Sequence, residues 1–198
     1  MRLFEAEEFI ILKGAVMKLF SRTLMLLSLV VLGQVALSQT KINVNQALDF
    51  WISNAEKEVV SAADAMPEEK YFFAPTAGEF TGARTFAQQV KHLAANNYRM
   101  AAYILSQTPT ADQEAETGPD AVRSKTEVMD YVKGSFAALH RAAASINEQN
   151  LVQPLNRQGR QNTRLQFAED AVAHSYDHYG QMVEYLRMNG IVPPASRR

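Results

Sequence analysis

Four stretches of this chain repeat apolar residues at three- and four-residue steps, and none alternates in the two-residue rhythm of a half-buried strand. Such a pattern specifies an all-α fold, because each stripe is one helix face that must be covered by other helices. The first stripe is Leu48, Trp51, Ile52, Ala55, Val59 and Ala62, with Asn43 or Asn45 to cap it and Met66-Pro67 to end it. On this reading Trp51 packs in the core. The second stripe, Phe86, Val90, Leu93, Ala94, Asn97 and Ala101, runs to about Leu105 and follows Thr85 and Gln88, which are spaced for a capping box. Ser124 and Glu127 repeat that spacing before Val128, Tyr131, Val132, Phe136, Leu139 and Ala143, a stripe that reaches about Ile146. Thr163 caps the last helix, from about Arg164 to Met188, which carries Leu165, Ala168, Val172, Ser175, Tyr179, Met182 and Leu186 and is closed by Asn189-Gly190 and Pro193-Pro194. The expected architecture is a four-helix bundle with long connectors of unequal length.

The connectors differ in chemistry. The first, MPEEKYFFAPTAGEFTGAR, holds three adjacent aromatics, Tyr71, Phe72 and Phe73, which either plug the end of the bundle or wall a pocket there. The second, SQTPTADQEAETGPDA, carries Asp112, Glu114, Glu116 and Asp120 and reads as a solvated loop. It lacks the alternating ligands and terminal bidentate Glu of a calcium loop. The third, NEQNLVQPLNRQGRQNTR, is polar, with Pro154 and Gly159.

Before the first stripe stands a different signal. From Met17 the chain reads MKLFSRTLMLLSLVVLGQVALSQ, with Lys18 and Arg22 in a positive n-region, an apolar run from Leu24 to Val35 and a small-x-small site at Ala36-Leu37-Ser38. The expected division is a start-site extension over 1–16, a signal peptide over 17–38 and the helical domain over 39–198. The apolar run is shorter than the ~20 residues needed to span a bilayer, so an exported protein, periplasmic or secreted, without a membrane span is expected.

Two function classes fall away on composition. The formal net charge is only −1 and no Lys/Arg cluster is present, so nucleic acid is not an expected partner. There is no cysteine, which removes disulfides, thiolate ligands and a Cys nucleophile, so any metal must be held by nitrogen and oxygen.

The histidines give the positive indication. His174 and His178 are four residues apart in the last helix, on one face and about 6 Å apart, so both rings can address a common ion. His92 and His140 are the imidazoles available to complete the set. His92 is favoured; His140, in the C-terminal half of the third helix, can instead interact with the last carbonyls. Three neutral imidazoles around a divalent metal leave a coordination position open to water or substrate, and zinc, nickel, iron and cobalt all suit nitrogen donors. Asp170 and Asn96, each four residues from a histidine, are placed to accept from the rings, and Gln181 to hydrogen-bond a water near the metal, although all three also read as ordinary polar helix positions.

The last helix, HSYDHYGQMVEYLRMNGIVPP, resembles the HxxxHxGQ…YLRxxGxxPP signature of the DinB-like (DinB/YfiT) superfamily of metal-binding four-helix bundles, and RTFAQQVKHLAANNYRM is similar to its segment bearing the first ligand. The resemblance covers about Val44 to Pro194. It implies a metal triad at His92, His174 and His178, with no counterpart for His140. It also implies a metal-dependent hydrolase or thiol-cofactor-dependent transferase acting on a small molecule, or else a non-catalytic metal-binding or stress-related module, and pairing as a homodimer. The thiol cofactors of such relatives are cytosolic, which sits poorly with export.

Overall fold

A computed structural model of the chain describes residues 42–76, 82–157 and 159–197, together with Met17 and Phe20. Apart from those two positions, the expected start-site extension and signal peptide lie outside the described residues. The helices described below belong to one compact unit that begins at Ile42.

Helix α1 spans Val44–Ala65, α2 Phe86–Ile104, α3 Lys125–Ala144 and α4 Arg164–Met188. All four begin at a reciprocal capping box. The side chains of Asn43, Thr85, Ser124 and Thr163 accept from the backbone N–H three residues on, and Gln46, Gln88, Glu127 and Gln166 reach back to the cap N–H. Each cap satisfies N–H groups that have no partner inside the helix and contributes about 1 kcal/mol, which fixes where each helix starts. The cap of α1 is thus Asn43 rather than Asn45.

The strongest packing joins α2 to α3 and α4, and joins α1 to the same two helices. The helices therefore form a ring in the order α1, α3, α2, α4, in which α1 and α2, neighbours in sequence, stand on the diagonal. Chain crossing the end of such a ring needs length, which the connector between them supplies. Ile52 and Val59 of α1, Leu93 and Ile104 of α2, Phe136 and Leu139 of α3, and Met182 and Leu186 of α4 meet in the interior. Burying each is worth about 1.5–3 kcal/mol relative to leaving it in water. Among the described residues no helix is long and apolar enough to cross a membrane.

Three expectations need correction. Trp51 is not in the core: it is 54% exposed and stands edge-on to Phe50 in a T-shaped contact. The buried face of α1 is Ile52, Ala55, Val59, Ala62 and Ala63, and at 100° per residue Trp51 falls to one side of its centre line. The third connector is not without strands, for Leu155–Arg157 (β1) and Arg160–Asn162 (β2) pair antiparallel, Leu155 opposite Asn162, around Gly159 at φ +72°. The three adjacent aromatics do not act as one group. Tyr71 is buried, donating its hydroxyl to the Ala63 carbonyl and standing edge-on to Phe86; Phe73 is half-buried against Tyr185; Phe72 is exposed.

Candidate metal centre

Packing α2 against α4 brings together three histidines that are far apart in sequence. His92 lies on the second turn of α2, and His174 and His178 follow one turn apart along α4. Their ring centroids are 5.0 Å (His92 to His174), 4.7 Å (His92 to His178) and 4.4 Å (His174 to His178) apart. Each ring offers one nitrogen to a set whose members all lie within 4.8 Å of one another, a spacing that could hold a metal ion. His178 is 5% exposed, while His92 and His174 are half-buried.

Hydrogen bonding decides which nitrogens are free. His92 Nδ1 lies 2.6 Å from the Glu116 carbonyl and His178 Nδ1 lies 2.8 Å from Gln89 Oε1. Both partners are oxygens that can only accept, so both Nδ1 atoms carry hydrogen and each neutral ring keeps its lone pair on Nε2. His92 Nε2 is 3.2 Å from His174 Nε2. His174 Nδ1 is buried with no partner among the described residues. Ring nitrogens gathered at this spacing, two of the rings with Nδ1 already committed, make a donor set that suits a divalent cation.

The electrostatics keep the rings neutral. Burial first, then the charges of the other histidines, holds His174 and His178 down to about 4; for His174, Arg99 adds to this. His92 is lowered mainly by burial, with the Arg84 guanidinium next. Neutral imidazoles can ligate without first losing a proton.

The partners of these rings are not those expected from sequence. Asp170 is exposed and does not serve His174, whose Nδ1 has no partner among the described residues. Asn96 is buried, but its Oδ1 accepts from Arg99. Gln181 bonds protein atoms: Gln89 Nε2 donates to its Oε1 at 2.9 Å, and its own Nε2 donates to Asp177 Oδ2 at 3.1 Å. The polar contacts made in their place come from Gln89, three residues before His92 but bonded to His178, and from the backbone of Glu116. Helical spacing finds partners on the ligand's own helix; a partner on the facing helix, or a loop carbonyl, leaves no such trace.

The acidic connector is also more than a solvated loop. It includes one helical turn, Ala111–Glu114, then closes on α2. Glu116 pairs with Arg84, and Lys91 Nζ donates to the carbonyls of Pro119 (2.8 Å) and Val122 (3.1 Å). His140 lies elsewhere, between α3 and α1, with Nδ1 2.5 Å from Asp49 Oδ1 and Nε2 3.0 Å from Glu56 Oε2. It reaches side chains of another helix, not the last carbonyls of its own.

Comparison with known proteins gives the same frame. The family model of the DinB superfamily matches residues 52–182, more than half of the chain and a span containing all three clustered histidines. A crystal structure of a DinB-like protein from Bacillus cereus is similar over 77% of this chain and 96% of its own, with a TM-score of 0.61 and 16% identity. Another, from Bacillus subtilis, is similar over 77% of this chain and 99% of its own, with a TM-score of 0.59 and 16% identity. At that identity the two establish a shared fold alone. No curated protein matches the chain.

Proposed function

Since this chain belongs to the DinB superfamily, we propose that it is an exported metalloprotein in which His92, His174 and His178 hold one divalent ion, zinc or nickel ahead of iron or cobalt. The observation that carries this reading is the convergence of the three rings with the Nδ1 atoms of His92 and His178 already committed to oxygens. The bound ion supplies Lewis acidity toward a water or a substrate thiol, which makes metal-dependent hydrolysis or thiol transfer the reaction class. The chain's own part is orientation. The Glu116 carbonyl and the Gln89 amide hold the rings of His92 and His178. Export rests on the n-region, apolar run and cleavage pattern of residues 17–38.

The test is zinc competition against a chromogenic chelator, with the domain purified metal-free. Wild type takes up about one ion per chain, and His92→Ala, His174→Ala and His178→Ala each weaken uptake at least about tenfold. Uptake unchanged in all three variants contradicts the site. A panel of ester, amide and thiol-acceptor substrates then tests turnover, which must vanish on chelation and return with the ion.

A further inference from the structure

Asp177 is exposed and immediately precedes His178. A carboxylate only accepts hydrogen bonds, so the contact between its Oδ2 and Gln181 at 3.1 Å must be made by the Gln181 NH2 group. That turns Gln181 Oε1 inward, where it accepts from Gln89 Nε2 at 2.9 Å. Gln89 Oε1 is then the atom left to face His178 Nδ1 at 2.8 Å. Each amide has one donating and one accepting end, so a direction set at Asp177 passes along the series without another choice. It ends by demanding a hydrogen on His178 Nδ1, which puts the lone pair of the neutral ring on Nε2, the nitrogen left for the other two histidines.

We propose that Asp177, Gln181 and Gln89 form a positioning relay that sets the tautomer of His178 for metal binding, with Asp177 fixing its direction. None of the three touches the ion; they act through His178. The relay spans both helices of the site, so it also ties the rotation of α4 to that of α2. This inference rests on the metal reading above.

An asparagine in place of Asp177 can donate as well as accept, which lets the whole series run backwards. Gln89 then presents NH2 to His178, and the ring must carry its hydrogen on Nε2, where it blocks the ion. Two variants test this. Asp177→Asn changes an exposed side chain and should leave the fold intact; Gln89→Met removes the acceptor while keeping the buried volume. Ring 15N shifts of His178, read in the metal-free protein, report the tautomer directly.

The expected result is an Nδ1–H ring in wild type, a mixture of tautomers in Asp177→Asn, and zinc affinity reduced severalfold in Asp177→Asn and about 10- to 100-fold in Gln89→Met. Circular dichroism and melting in the metal-free state should match wild type for Asp177→Asn, separating positioning from folding. An Nε2–H ring in wild type, or unchanged tautomer and affinity in both variants, overturns the relay. The two failures are distinguishable: wild type that binds no zinc contradicts the metal reading, whereas the ring shifts in metal-free protein judge the relay on its own.

Discussion

At the scale of single residues, the histidines were legible in the sequence because i, i+4 spacing fixes a shared face, and the fold places His92 opposite that pair. Gln89 was not legible, because its partner is on the other helix and only the facing of α2 and α4 reveals it. His140 yields a pH-dependent prediction. Burial pushes its pKa down, but hydrogen bonds and charge from Asp49 and Glu56 together outweigh this and raise it above the usual histidine value. A raised value means that the folded state holds the proton more tightly. The stabilisation is therefore fully present below the unfolded pKa near 6.5 and is lost as pH rises through the higher folded value. His140→Ala should cost about 0.5–1 kcal/mol at pH 5.5, since the group is partly exposed, and less at pH 9; urea unfolding at the two pH values measures it. Gly118 gives a second prediction. It has φ +71°, and an added Cβ would lie 2.5 Å from Lys91 Cβ. Gly118→Ala should destabilise by about 1–3 kcal/mol, read as a lower denaturant midpoint, and an unchanged midpoint would show that the connector shifts freely. Trp51 is the only tryptophan. Its fluorescence should be that of a solvent-exposed indole, quenched by iodide, and Trp51→Ala should cost under about 0.5 kcal/mol, where a core tryptophan would cost about 3–5.

At the scale of elements, the sequence specifies helices through two independent signals that agree: apolar stripes and four N-terminal boxes. Caps are local, involving residues three apart, which is why the starts of α2, α3 and α4 could be read without a fold. Thr163→Ala removes one side of the box at α4 and should cost about 1 kcal/mol, while Thr163→Ser should cost little; comparing their thermal midpoints checks the cap. Elements defined by contact with something distant were less legible. The connector 105–124 has few apolar residues and reads as solvated, yet Lys91 holds it through two carbonyls and His92 through a third. Its order comes from hydrogen bonds to α2, and nothing in its own composition announces them. Likewise, the stripe of α1 includes Trp51 by spacing, but which part of a wide stripe is covered depends on where α3 and α4 lie.

At the scale of the helical unit, the ring of helices leaves two diagonal pairs, α1 with α2 and α3 with α4, each joined by a long connector, and places the histidine cluster where α2 meets α4. A ligand held by two elements stabilises the state in which they are docked, by an amount set by its concentration relative to its dissociation constant. With free zinc at about 100 times the dissociation constant, that linkage is worth about 2.7 kcal/mol and should raise the melting temperature of a domain of this size by about 5–10 °C. The shift should be absent in His174→Ala. The most direct test of the central claim is elemental analysis of protein spanning residues 39–198, purified without chelator or His tag, beside a His174→Ala/His178→Ala double variant. About one divalent ion per chain in wild type and none in the folded variant is the predicted result. Equal metal content in the two proteins, or a wild type that stays metal-free when zinc or nickel is supplied, would contradict it.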